Sequence, residues 1–276
     1  MKIIKKSGEK VKYRSKKLRK SLMKSGASGK LVKEIMEKIE KSLYPGIPTK
    51  NIYKMAFAIL RKKHRATAAK YKLRNAILEL GPSGFPFERY ISHLMEEEAF
   101  TTTVGVLVEG KCVNHEVDVI AENEQEINYQ ECKFHNKSTF TCNVKIPLYI
   151  QSRFLDIKNK QQDSKKNTDK KSSFWIVTNT KFTSEATAYA NCVGIKLLSW
   201  NYPPKQGIRE RIDRTGLHPI TCLTTMTKKE KHSLLKNDII LCRHIKNNSE
   251  PLVKIGINPR RIPKIMGEAK ALLELP

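Results

Sequence analysis

The stretch EVDVIAENEQEINYQECKF, residues 116–134, brings together two carboxylates and an ammonium: Asp118, Glu131 and Lys133. Strand side chains alternate faces, so Glu131 and Lys133 point the same way. Residues 122–125 read as a four-residue connection between antiparallel strands. Pairing Ala121 with Glu126 sets Asp118 opposite Tyr129 and diagonal to Glu131; a register shifted by two sets it directly opposite Glu131. In both, Asp118, Glu131 and Lys133 share a face. Carboxylates this close repel, and a hard cation relieves the repulsion. Mg²⁺ (or Mn²⁺) takes one or two carboxylates plus a substrate phosphate. Beside such an ion, Lys133 would orient or deprotonate an attacking water, or hold charge in the transition state. The chemistry implied is metal-assisted phosphodiester hydrolysis. Cys132 points the other way, towards Val117 and Val119, with its backbone carbonyl as a further possible metal contact. The competing reading is a surface Glu–Lys ion pair with an unrelated Asp.

The elements that must position these groups follow from pattern. Ile3–Lys6 and Lys10–Tyr13 flank Ser7-Gly8-Glu9 as a hairpin. Helices follow over about 16–25, after Ser28, after Thr49 and over about 67–80, with apolar residues at helical spacing. GPSGFP at 81–86 is punctuation and marks a domain boundary. Beyond it come a helix carrying Phe87, Tyr90, Ile91 and Leu94, and strands at 101–108, 116–121 and 126–134. A helix over 144–157 precedes KNKQQDSKKNTDKKSS at 158–173, which reads as a mobile basic loop. Strand 174–179, a helix capped by Thr183 and strand 195–200 complete a β-α-β unit. Past Tyr202 the pattern weakens to a helix after Thr227 and another near the C-terminus. The domains expected are 1–82, 83–202 and a helical tail, 203–276.

GFPFERYISHLM, HEVDVIA, NYQECKF and FWIVTNTKFTSEATAYANCVGIKLLSW, in this order, resemble the PD-(D/E)xK nuclease superfamily, and more narrowly the Mrr-type restriction endonuclease domain. The resemblance covers about residues 84–200. It implies a restriction-endonuclease-like mixed β-sheet flanked by helices, with Glu88, Asp118 and Glu131 as metal-side acids and Lys133 as the catalytic lysine. Two positions depart from the family: Val117 stands where a Pro is usual, and Glu131 where many Mrr-type members carry Gln. Taken alone, Glu88 is an ordinary first-turn acid favoured by the helix dipole. Lys145, Gln151 and Arg153, on the helix after Lys133, are candidate DNA contacts or a solvated face.

IIKKSGEKVKYRSKKLRKSL, with ATAAKYKLRN closing the segment, resembles the ATP-cone, a regulatory nucleotide-binding domain built from a small hairpin and a helix bundle. The resemblance covers about residues 1–80. It implies that Lys5, Lys6 and Lys17 contact the phosphates of ATP or dATP, that Gly8 lets the hairpin turn, and that Ile4 and Leu18 lie near the base. Ser7 and Lys6 replace the usual Asp and Arg. No Walker A pattern is present, so ATP is expected as a ligand without hydrolysis. In the tail, Gly256-Ile257-Asn258-Pro259 ahead of Arg260, Arg261 and Lys264 looks faintly like a DNA-clamping hairpin; a plain amphipathic helix is the other reading.

Composition agrees with polyanion partners. The formal net charge is +26, and residues 1–84 hold 24 Lys/Arg against 5 Asp/Glu. Six scattered cysteines form no CxxC, which argues against a zinc ribbon and for reduced thiols in a cytoplasmic protein. There is no apolar run of spanning length and no signal-peptide pattern, so no membrane association is expected. The fold class expected is α/β (α+β). The function expected is a nucleotide-regulated, Mg²⁺-dependent DNA endonuclease, a homo-oligomer (dimer or higher) because cutting both strands suggests a dimer, and of restriction or defence type by family analogy. A non-catalytic DNA-binding regulator with an ATP-cone sensor is the alternative.

Overall fold

The structure is a computed structural model that describes residues 1–5, 7–163 and 170–275. It resolves into two compact units: Met1–Ala76 with His218–Pro276, and Ile77–Leu217. Among the described residues it is a mixed α/β structure with a two-stranded hairpin and a five-stranded sheet.

The first unit opens with β1 (Lys2–Ile4) and β2 (Lys10–Lys12), paired antiparallel with Ile3 opposite Val11. Gly8 takes φ +85° in the connection, a conformation that disfavours any residue with a Cβ. Next come α1 (Ser15–Lys24), α2 (Gly29–Glu40), α3 (Thr49–Lys63), α4 (Arg65–Tyr71) and α5 (Leu73–Leu78). The Ser28 hydroxyl caps α2 as its position predicts, accepting from the Leu31 N–H at 3.3 Å. Thr49 is not a cap: α3 begins on it, after Pro48, with no side-chain cap bond. The helix expected over 67–80 is broken in two and starts earlier, with His64 Nδ1 accepting from the Thr67 N–H. The core is built from Leu22, Val32, Ile35, Ile39, Ala56 and Leu60.

The second unit holds α6 (Phe85–Glu96), β3 (Thr101–Glu109), β4 (Asn114–Glu122), β5 (Glu126–Lys133), α7 (Lys145–Asp163), β6 (Lys171–Thr178), α8 (Ser184–Val193), β7 (Lys196–Leu198) and α9 (Ile208–Thr215). The sheet order is β3-β4-β5-β6-β7. β4 runs antiparallel to its neighbours β3 and β5, and β5, β6 and β7 run parallel, as a β-α-β crossover requires. Ile150, Phe154 and Ile157 of α7 pack with Tyr129, Ile176 and Leu197 of the sheet. Thr183 caps α8 through the Ala186 N–H at 3.2 Å. The basic loop expected over 158–173 is shorter than its composition suggests. α7 runs on to Asp163 and β6 begins at Lys171, while 164–169 lie outside the described residues.

The C-terminal segment is not one tail. Residues 203–217, including α9, belong to the second unit, whereas α10 (Lys228–Lys236), α11 (Glu250–Lys254) and α12 (Ile262–Leu273) belong to the first. α12 packs on α4, whose buried face is Ala66, Ala68 and Ala69, small side chains that let the helices approach closely. Thr221 ties the segment in by donating to the Ala76 carbonyl at 2.7 Å, and Lys72 donates to the Thr221 carbonyl at 3.1 Å. No sequence pattern announces such a non-local contact.

Both tryptophans, Trp175 and Trp200, lie in the second unit, so their fluorescence reports its unfolding. Ile150 is fully buried there. Ile150→Ala is expected to cost about 2–5 kcal/mol in urea unfolding followed by tryptophan emission. A loss below about 1 kcal/mol would mean that α7 is not packed as described.

Candidate functional site

The pairing of β4 with β5 is Ala121 opposite Asn128 and Val119 opposite Gln130, the register shifted by two. A three-residue connection sets it. Asn123 Oδ1 accepts from the N–H groups of Gln125 and Glu126, both at 2.9 Å, closing the turn one residue shorter than expected. The same register places Asp118 opposite Glu131, one step beyond the last ladder pair. On its other flank Asp118 faces Gly105 of β3, between the pairs Val104–Val119 and Val106–Val117. Gly105 takes φ +68°, a break in regular strand geometry. Asp118 thus sits where the backbone pattern is interrupted on both sides. Its carboxylate turns onto β5 and accepts from the Cys132 N–H at 2.6 Å.

Glu131 is buried and carries two cationic partners. Lys133 Nζ donates to its Oε1, and Arg153 of α7 donates to its Oε2 at 2.8 Å. Arg153 also donates to the Tyr149 hydroxyl at 2.9 Å and to the Glu116 carbonyl. Arg153, read from sequence as a candidate DNA contact, is therefore engaged with Glu131, and it ties α7 to both strands. Glu88 lies in the first turn of α6. Cys132 is buried, and its thiol is pushed well up by burial and by the surrounding acids. What meets the acids is its N–H.

The electrostatics tie these groups together. Burial, followed by the charges of Asp118, Glu116 and Glu131, raises the Glu88 carboxyl to about 7. Burial and Glu131 raise Asp118 to about 6, against the Cys132 N–H, Lys133 and Arg153. Burial works against the Lys133 ammonium, but Glu131 and Asp118 outweigh it and raise its pKa. Lys133 is therefore a cation at neutral pH. Among the described residues, no three His, Cys, Asp or Glu side chains are gathered closely enough to hold a metal as they stand. His115 is taken by Asp156 at 2.8 Å. Lys145 is exposed at the start of α7, and Gln151 is half-buried one turn before Phe154.

A second candidate site is a cavity of about 600 Å³ in the first unit, between the hairpin and α1, α3 and α4. Lys5, Lys17 and Leu18 line it, as expected. Ile3 lines it in place of Ile4, whose side chain approaches Gly46 instead. Gly8 is confined to the turn, and Lys6 lies outside the described residues. Sequence reasoning missed Lys12, Arg14, Tyr53 and Tyr71 in the lining. The Tyr53 and Tyr71 rings stack at 5.0 Å, and burial pushes the Tyr71 hydroxyl up to about 12. The Tyr13 hydroxyl is buried at this cavity with no hydrogen-bond partner among the described residues. Cations beside aromatic rings and an orphan donor suit a nucleotide, whose phosphates need the cations and whose base needs the rings. In the C-terminal segment, Arg260 is exposed, while Arg261 and Lys264 line a separate cleft. No helix is long and apolar enough to cross a membrane among the described residues.

Comparison with known proteins assigns both ends of the chain. Residues 1–77 match the ATP cone domain, so this N-terminal segment is a nucleotide-binding regulatory domain. Residues 218–273 match the family described as AF1548-like, C-terminal. An uncharacterized protein of Archaeoglobus fulgidus is 38% identical over 187 residues, 66% of this chain and 99% of that protein. A crystal structure of a protein of unknown function, AF1548, superposes with a TM-score of 0.57 at 36% identity, covering 69% of this chain and 98% of that one. The chain belongs to the AF1548-like family, with an ATP cone domain at its N-terminus.

Proposed function

We propose that the protein is a nucleotide-regulated endonuclease that hydrolyses DNA phosphodiesters with a divalent ion, and that Glu88, Asp118, Glu131 and Lys133 carry the reaction. The observation that supports this most is the convergence of Asp118, Glu131 and Lys133 across β4 and β5, with Glu88 close enough to feel all three. The donor set fits a hard cation such as Mg²⁺ or Mn²⁺. It is all oxygen, and two of its carboxyls are held up by burial and by the neighbouring carboxylates. Glu88, Asp118 and Glu131 would hold the ion, which when bound supplies Lewis-acid polarisation of a phosphoryl oxygen. Lys133, held as a cation by Glu131 and Asp118, would stabilise the negative charge that grows on the phosphoryl oxygens. Arg153 fixes the orientation of Glu131 through its second oxygen. The ATP cone supplies regulation: nucleotide shifts activity only as far as its affinity differs between two states of the protein.

The second reading, a DNA-binding regulator that does not cut, draws support from Glu131. Its charge is already matched by Lys133 and Arg153. Supercoiled plasmid incubated with Mg²⁺, with and without ATP or dATP, separates the two. The wild type is expected to nick, and Lys133→Ala and Asp118→Ala to lose at least about 100-fold in rate while still binding DNA. A wild type that shifts DNA without nicking it supports the regulator. Equal nicking by both variants would place the chemistry elsewhere.

Metal-free stability provides a second check. A carboxyl whose pKa is raised on folding stabilises the fold below its unfolded value and loses that contribution as pH rises through its folded value. Asp118 and Glu88 therefore predict a melting temperature in EDTA that falls as pH climbs through about 6 and 7. The fall should be smaller in Asp118→Asn with Glu88→Gln, and Mg²⁺ should offset it in the wild type at the alkaline end. Identical pH profiles for wild type and double variant would contradict the coupling. For the cone, Lys5→Ala with Lys17→Ala is expected to weaken ATP binding by at least about tenfold in calorimetry; unchanged affinity would move the nucleotide out of this cavity.

A further inference from the structure

The first unit carries 35 Lys and Arg against 9 Asp and Glu, whereas the second carries 18 of each. The whole of the +26 therefore resides in the unit without the carboxylate cluster. Much of that charge is spread over helix surfaces, but at one place it gathers around a cavity of about 560 Å³. Arg61, Lys62 and Arg65, from the end of α3 and the start of α4, face Arg261 and Lys264 at the start of α12.

The floor of this cleft is fixed. The buried Glu268 carboxylate accepts from the N–H and hydroxyl of Thr224, at 2.8 and 2.6 Å, and from those of Thr225, at 2.9 and 2.6 Å. Arg261 is held in a fork by Glu230 and donates to the Thr225 carbonyl at 2.9 Å. The other four cations are different. Among the described residues, Arg61, Lys62, Arg65 and Lys264 have no carboxylate partner. All four are exposed, with the Arg61 guanidinium over the Phe57 ring, and together they leave a positive field that an anion in the cleft would offset. The lining contains no aromatic ring, in contrast to the tyrosine-lined cavity near the hairpin. It offers charge to phosphates and no platform for a base.

We infer that this cleft binds the sugar-phosphate backbone of a nucleic acid, engaging successive phosphates through Arg61, Lys62, Arg65 and Lys264 without reading sequence. The two sides of the cleft come from the ATP cone and the AF1548-like C-terminal segment, so their association in one unit builds the site. The inference rests on the nucleic-acid partner proposed above but not on cleavage. A chain that binds DNA here and never nicks it sinks the endonuclease reading and leaves this one standing.

The test uses the full chain, a short labelled DNA duplex of arbitrary sequence, EDTA to prevent turnover, and a salt series. Lys62→Gln, Arg65→Gln and Lys264→Gln combined are expected to weaken binding at low salt by at least about tenfold. They should also make the slope of log K against log salt shallower by about two to three. A control with the same charge change outside the cleft, Lys24→Gln, Lys33→Gln and Lys41→Gln, should retain most of the slope. The charge-preserving set Lys62→Arg, Arg65→Lys and Lys264→Arg should bind like wild type, and ATP affinity should be unchanged throughout. Unchanged DNA binding in the cleft variant overturns the inference. So does an equal loss in the control, which would mean diffuse charge and no site. Loss of ATP binding with DNA binding intact would make the cleft a mononucleotide pocket and overturn it as well.

Discussion

Two carboxylates facing each other across an antiparallel strand pair set the terms for the second unit. Asp118 and Glu131 are opposite by register, partly or fully withdrawn from water, and like-charged. Left alone, such a pair would hold protons or push the strands apart. The surrounding structure answers with the backbone N–H of Cys132, the ammonium of Lys133 and the guanidinium of Arg153 from α7. Glu88 then adds a third acid from a different element, and its carboxyl rises to about 7. A fold concerned only with stability has little reason to bring in that third charge, which is why the cluster is read as a site.

The division of charge separates two tasks. The unit with the acids is formally neutral and cannot draw a polyanion by its overall field. The unit with the ATP cone and the C-terminal segment holds the entire excess of positive charge. Nucleotide sensing and the proposed attraction of a nucleic acid thus fall to one part of the chain, and the proposed bond-breaking groups to the other. Within the first unit the two cavities differ in kind. One sets cations beside tyrosines, and the other has cations with threonines and no ring.

The strands, helices and Asp118–Glu131–Lys133 set were legible because each rests on short-range pattern: alternation, caps and turn residues. Thr183 and Ser28 cap as their positions imply. The choice between two registers was not legible, because it turned on Asn123 closing the turn through its own side chain. Arg153 could be placed on a helix but not recognised as the partner of Glu131, since that requires knowing how α7 docks. The swap of Ile3 for Ile4 in the cone cavity is a one-residue error, and on a strand one residue changes the face. The return of residues 218–276 to the N-terminal unit depends on contacts such as Thr221 with Ala76, far apart in sequence. Gly105 was a signal present in the sequence but passed over: a glycine inside an otherwise regular strand, opposite the aspartate that has to leave the ladder.

The proposed chemistry requires that these acids hold a divalent ion. Calorimetric titration of the full, metal-free chain with Mn²⁺, above the raised pKa values of Asp118 and Glu88, measures this directly. The prediction is a single ion per chain, with affinity lowered more than about tenfold by Asp118→Asn or Glu131→Gln and retained in Lys133→Met. No binding, or binding indifferent to either carboxylate, would contradict it.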